Sequence, residues 1–156
     1  MKKLLLIISL IAYSSAFSAE MVPLSKYIKE NPKFKEDLPS AAFFVSRCSA
    51  IFSKAQNRLK QDKRKKYQDI SENFKMWGMI YDGSALIITQ KIDMSLESYT
   101  SRYKTHLDIY EKQTIQNWNT NGDMFTGWVG DDLDICTANY KYFETYASEN
   151  IGDLSK

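Results

Sequence analysis

Residues 40–60 read Ser-Ala-Ala-Phe-Phe-Val-Ser-Arg-Cys-Ser-Ala-Ile-Phe-Ser-Lys-Ala-Gln-Asn-Arg-Leu-Lys, the clearest helical pattern in the chain. Apolar or small side chains recur every three or four residues, the spacing of one helix face. They are Ala41, Phe44, Val45, Cys48, Ile51, Phe52, Ala55 and Leu59. Pro39 suits a first helical turn, and Asp37 or Ser40 can cap it. The stretch therefore predicts an amphipathic helix, and the pattern puts Arg47 and Lys54 on its polar side.

Three further segments carry the same periodicity. Residues 62–81 repeat an aromatic and aliphatic stripe, residues 85–118 predict a long third helix, and residues 133–147 predict a fourth. Asp82-Gly83-Ser84 reads as a break, because glycine ends helices and serine begins them. Residues 119–131 contain three glycines and are expected to form a loop.

Four amphipathic helices with short connections predict an all-α antiparallel bundle over residues 39–156. A polar arm over residues 20–38 precedes it. Pro23 and Pro32 within the arm, and Pro39 directly after it, limit the arm to one or two helical turns. Cys48 and Cys136 are the only cysteines, and each falls on an apolar stripe. We expect one disulfide that joins the first predicted helix to the fourth. The alternative is a pair of buried free thiols.

Residues 1–19 predict a secretory signal peptide that is cleaved on export. Lys2 and Lys3 precede the apolar run 4–12, and small residues follow that run. Cleavage is expected after Ala16, Ser18 or Ala19. The alternative, a membrane anchor, would need about twice as many apolar residues, since a spanning helix takes about 20.

Charge is unevenly distributed along the chain. The full sequence carries a formal net charge of +2, which falls to zero without Lys2 and Lys3. Residues 26–75 hold 13 basic and 6 acidic side chains, whereas residues 76–156 hold 6 basic and 12 acidic ones. This balance argues against a strongly cationic nucleic-acid-binding protein.

A dense basic cluster lies where the first two predicted helices meet. Its members are Arg58, Lys60, Lys63, Arg64, Lys65 and Lys66. Such a cluster can bind phosphates or other anions, for example on lipid head groups. The alternative is a solvated helix end without a ligand.

Aromatic residues cluster around the glycine-bearing loop. Trp118, Phe125 and Trp128 are the members, and tryptophan is enriched among residues that dominate binding interfaces. We interpret them as a candidate partner-binding surface. The alternative is that they cover one end of the bundle.

No complete catalytic or metal-binding motif is present. Asn117–Asp123 resembles the start of an EF-hand loop but lacks the glutamate at the twelfth position. The three aspartates within residues 131–134 fit the first turn of a helix. His106 is the only histidine, and a single histidine makes a poor metal site. The sequence thus predicts no metal site and no cofactor. If the chain were an enzyme, carboxylates such as those of Glu97 or Glu111 would carry out its chemistry.

These observations favour a small exported protein, periplasmic or secreted and of bacterial type, that acts by binding and not by catalysis. The expected partner is an envelope protein, a lipid or a glycan, and not nucleic acid. Two alternatives stay open: a cell-envelope enzyme that uses carboxylates, and a structural or self-assembling envelope protein. After removal of residues 1–19, the predicted mature chain contains no apolar segment long enough to span a membrane.

Overall fold

A computed structural model describes residues 21–61 and 64–152 of the chain. The described part contains five helices and no strand, so the all-α prediction is confirmed and the expected number of about four helices is corrected. The additional helix lies in the arm. The helices are α1 (Leu24–Glu30), α2 (Leu38–Leu59), α3 (Lys65–Lys91), α4 (Leu96–Asn121) and α5 (Trp128–Asn150). The predicted signal peptide and Glu20 lie outside the described residues.

Helix α2 begins where its capping signals predict. The Asp37 carboxylate accepts a hydrogen bond of 3.0 Å from the backbone N–H of Ser40, and Pro39 occupies the first turn. Proline costs nothing there, because the first N–H groups of a helix have no intrahelical acceptor. The helix ends at Leu59, close to the predicted joint.

Helix α3 runs through the predicted break at 82–84, so the second predicted helix and the start of the third are one helix. The Ser84 hydroxyl does not cap a helix. Its Oγ lies 2.9 Å from Ile80 O and 3.0 Å from Phe143 O, so its one proton is shared between a carbonyl of α3 and a carbonyl of α5 and links the two helices. The real break follows at Asp93, whose φ of 52° is left-handed.

The last two helices meet across a shorter loop than the predicted 119–131. Helix α4 starts behind Ser95, whose hydroxyl accepts the Ser98 N–H at 3.1 Å, and ends at Gly122 with φ 71°. A left-handed glycine is a common helix terminator. Helix α5 begins at Trp128, five residues before the predicted start.

Helix α2 is the centre of the bundle: it packs against α3 and α4, and α3 packs in turn against α5. Cys48 and Cys136 form the expected disulfide, with Cα atoms 5.4 Å apart. The bond therefore joins the second and fifth helices, not the first and fourth, because the short helix α1 precedes the helix that was predicted to be the first. Phe44 and Phe143 stack beside it with ring centroids 5.5 Å apart.

The arm packs onto the bundle. Met21, Leu24 and Phe34 are buried in the common core, and the Tyr27 ring lies 4.5 Å from that of Phe43. Within residues 21–61 and 64–152, no helix combines the length and the apolar character needed to cross a bilayer.

Candidate functional site

The basic cluster and the aromatic loop, predicted as separate surfaces, meet at one end of the bundle. The end of α2 and the start of α3 lie there beside the loop between α4 and α5. A groove of about 390 Å³ separates them. It is lined by Arg58, Leu59, Gln61, Arg64, Tyr67, Trp118, Gly122, Asp123, Met124 and Phe125. We call it the basic–aromatic groove.

Internal hydrogen bonds hold the aromatic wall of this groove. The Asn117 side-chain amide donates to Met124 O at 3.1 Å and to Thr126 O at 3.0 Å. The Asp123 carboxylate accepts the Phe125 N–H at 3.0 Å. Two polar side chains of the EF-hand-like segment therefore shape the loop through three hydrogen bonds. Trp118 stays 54% exposed at its edge.

The basic wall carries two arginines in different settings. The Arg64 guanidinium lies 4.3 Å from the centroid of the Tyr67 ring, a cation–π contact. Arg58 Nη2 reaches Glu111 Oε1 at 3.4 Å. Arg58 Nε is buried, and it has no hydrogen-bond acceptor in the described part of the chain. A buried donor without an acceptor costs free energy. The Arg58 side chain as a whole is 30% exposed, so its positive charge is accessible from the groove.

A second depression of about 510 Å³ lies against the same arginine. It shares Arg58 and Gln61 with the groove and adds Lys54, Asn57, Lys60, Leu107 and Glu111. Lys54 forms an ion pair with Glu111 and is buried, not solvent-facing as predicted. Burial lowers the pKa of the Lys54 ammonium, and the nearby Arg58 lowers it further.

The other predicted basic residues are placed less centrally. Lys60 is exposed at the second depression, and Lys65 is exposed on the first turn of α3. Lys63 and the side chain of Lys66 lie outside the described residues.

Trp128 does not join the other two aromatic residues. Its ring packs 5.6 Å from that of Tyr110, and it lines a separate depression of about 280 Å³ with Met21, Val22, Pro23 and Lys26. A partner-binding role for Trp128 stays a prediction. Its position is beside the arm, away from Trp118 and Phe125.

The most buried charges in the described chain form a network that the sequence pattern did not predict. Arg47 was assigned to the polar face of its helix, but it forms an ion pair with Asp132, and both side chains are 0% exposed. The Tyr110 hydroxyl donates to Asp132 Oδ2 at 2.7 Å, and Arg47 Nε lies 3.3 Å from the same hydroxyl. Three helices thus share one buried polar cluster.

This network also holds the arm. Arg47 donates to the carbonyl of Val22, and Asp132 Oδ1 accepts the Leu24 N–H at 2.7 Å. Burial raises the pKa of the Asp132 carboxyl, whereas the Arg47 guanidinium and the two hydrogen bonds to Tyr110 and Leu24 oppose that shift. Burial also raises the pKa of Tyr110 well above its ordinary value, so the phenol remains a donor. The side chains of this network thus find their hydrogen-bond and ion-pair partners within the protein itself.

His106 lies in the core next to this network. Its Nδ1 is 3.1 Å from Ser46 Oγ, and the Phe43 ring meets it edge-on at 5.2 Å. Burial, with the positive charges of Arg47 and Arg102, lowers the pKa of the imidazole to about 3. The ring is therefore neutral at physiological pH. Ser46 is itself fully buried.

The carboxylates considered for an enzyme are not brought together. Glu97 is exposed in the first turn of α4, and Glu111 pairs with Lys54 and Arg58. Residues 21–61 and 64–152 contain no group of three or more His, Cys, Asp or Glu side chains arranged to hold a metal ion.

The chain was compared with protein families, with curated proteins and with solved structures, and none of them matches it. The geometry of its own residues is the basis of the proposals below.

Proposed function

We propose that this chain is a non-catalytic binding protein whose ligand occupies the basic–aromatic groove and carries negative charge. One observation supports this above all: Arg58 and Arg64 from one chain segment face Trp118 and Phe125 from another across a single groove. Arginine donors suit phosphate or carboxylate groups, and an exposed tryptophan supplies apolar contact area.

Arg58 is the residue that best matches an anionic ligand. Its Nη2 already contacts Glu111, but the buried Nε has no acceptor within residues 21–61 and 64–152. The Arg58 side chain as a whole is 30% exposed, so an anion in the groove could contact its exposed part, and the groove's aromatic wall would exclude part of the surrounding water. A charged hydrogen bond is stronger in such a place than in open solvent.

We further propose that the protein works outside the cytoplasm. A disulfide between the only two cysteines is compatible with an oxidising compartment, as is the signal peptide predicted over residues 1–19. Intact-mass analysis of protein recovered from the producing cells is expected to show loss of sixteen to nineteen residues. A full-length species in the cytoplasm would contradict export.

The binding proposal can be tested with anionic vesicles. We expect the protein to bind vesicles containing about one third phosphatidylglycerol, to bind pure phosphatidylcholine vesicles weakly, and to lose binding as salt rises. Trp118 emission should change on binding, and Trp118→Phe should remove that change. An unchanged Trp118 signal would place the contact elsewhere.

A matched pair of variants separates the groove from general charge. Arg58→Gln with Arg64→Gln should abolish vesicle binding, whereas Lys104→Gln with Lys112→Gln should retain it. Both variants remove two positive charges, but the two lysines are exposed on α4 and line neither depression at Arg58. The same pair, used to capture components of envelope extract, distinguishes a protein or glycan ligand from a lipid. Equal behaviour of the two variants in both assays would overturn the proposal.

A further inference from the structure

The outward face of α3 carries a regular stripe that no residue within 21–61 and 64–152 covers, apolar in the middle and polar at both ends. Side chains three and four residues apart share one face of a helix, and the stripe follows that alternation over about 27 Å. Its members are Glu72, Met76, Met79, Gly83, Leu86 and Gln90. Met79 is 64% exposed, and Met76 and Leu86 are nearly half exposed. A shallow depression of about 420 Å³ lies at the methionines.

Within the part of the chain that the structure describes, no contact explains why position 83 is a glycine. Its backbone is helical and its φ is not positive, so the position does not demand glycine. A Cβ built at Gly83 meets nothing within 4 Å, so no neighbour in the described chain excludes a side chain. Glycine weakens a helix relative to alanine, and its usual compensation is close approach of another group to the backbone.

The stripe is self-complementary about Tyr81. Met79 and Gly83 each lie two residues from Tyr81, and Met76 and Leu86 each lie five residues from it. In an antiparallel pair of identical helices, positions equally far from the two-fold axis face each other. A large Met79 side chain would therefore sit over the Gly83 notch of the partner copy, and Met76 would meet Leu86.

Polarity matches at the ends of the same stripe. Glu72 and Gln90 each lie nine residues from Tyr81, and both are exposed. In the antiparallel pair the Glu72 carboxylate faces the Gln90 amide, which is a donor. The alternating spacing of three and four is also that of helices packed at a shallow angle.

We propose that α3 is a homodimerisation surface that pairs antiparallel with α3 of a second copy, centred on Tyr81. This inference stands independently of the basic–aromatic groove. A contact made by one helix from each copy belongs to the small interfaces, below about 1,200 Å². We therefore expect a reversible dimer that dissociates on dilution.

Sedimentation velocity over roughly 5 to 500 µM tests the association itself. The parent chain should pass from monomer to dimer over this range. Met79→Asp should remain monomeric with unchanged helix content, and Leu96→Asp is the matched control. Leu96 is 63% exposed, almost as much as Met79, but it lies on α4. Gly83→Gln should also be monomeric while its melting temperature stays equal or rises, because glutamine favours helix.

Disulfide cross-linking tests the register. A mixture of Met79→Cys and Gly83→Cys chains should form a cross-linked heterodimer. Either variant alone should cross-link poorly, because two copies of position 79 lie four residues, or about 6 Å, out of register. A parent that stays monomeric, a dimer that survives Met79→Asp and Gly83→Gln, or dissociation by Leu96→Asp would each overturn the proposal.

Discussion

Arg47 and Arg58 lie eleven residues apart on the same helix and have opposite surroundings. Arg47 is fully buried, and its donors are taken by Asp132, Tyr110 and the backbone of the arm. Arg58 is partly exposed at the groove, and its Nε lacks an acceptor among the described residues. An arginine that is buried and paired within its own protein stabilises the fold, whereas one that is partly exposed at a groove can bind an anion from solvent.

The largest expected effect comes from breaking the buried pair. Arg47→Met leaves the Asp132 carboxyl buried without its ion-pair partner, so the free energy of unfolding should fall by about 3–5 kcal/mol. Urea denaturation measures it, with Arg58→Met as the control on the same helix. Adding Asp132→Leu to Arg47→Met should recover part of the loss, because no unpaired charge then remains. A cost below about 1 kcal/mol for Arg47→Met would contradict the contrast between the arginines.

The disulfide is the second support of the buried region. It links α2 to α5 one residue from Arg47 and closes a loop of 88 residues. Replacing both Cys48 and Cys136 with alanine should lower the unfolding free energy by about 2–4 kcal/mol, chiefly because the unfolded chain gains freedom. Helix content by circular dichroism should persist. Free thiols in the denatured, unreduced parent would show that the bond is absent.

A pH series probes the buried region without disturbing its packing. The pKa of the His106 imidazole is lowered from an ordinary 6.5 to about 3. Between these two pH values the imidazole is protonated in the unfolded chain and neutral in the folded chain. Stability should therefore fall as pH drops from about 6.5 toward 3, by at most about 1.4 kcal/mol per pH unit. His106→Gln should show a shallower slope between pH 6.5 and 4 in urea denaturation. Parallel slopes for the two proteins would argue against a buried, neutral His106.

The features that depend on helical periodicity, capping residues and cysteine number could be predicted from the sequence. The stripe around Cys48, the cap at Asp37 and the disulfide all follow from local pattern and from the number of cysteines. The predicted helix break at Gly83 is wrong, because α3 continues through it. A glycine inside a helix and a glycine that ends a helix cannot be told apart from the sequence alone. The real break at Asp93 carries neither glycine nor proline.

The buried network was missed for a different reason. A charged residue beside an apolar stripe normally faces solvent, so Arg47 was placed there. One signal was present: residues 46–50 are small on every side of Arg47 and Cys48, and a helix without a large polar face is a buried helix. The choice of Asp132 as partner over its neighbouring aspartates depends on the arrangement of the helices in space. The basic cluster and the aromatic cluster were both identified from the sequence. That they line one groove was not predicted, because it depends on how the helices pack.

The smallest expected effect concerns the other arginine. Arg58→Gln should change the unfolding free energy by less than about 0.5 kcal/mol, since its ion pair with Glu111 is partly exposed and such pairs contribute little. Lys54 remains beside Glu111, so that carboxylate keeps a partner. The same substitution should weaken binding to anionic vesicles strongly, because the ligand loses one of the two arginines that line the groove. Denaturation and vesicle sedimentation on one preparation give both values. A variant that lost stability and kept binding would reverse the roles assigned to Arg47 and Arg58.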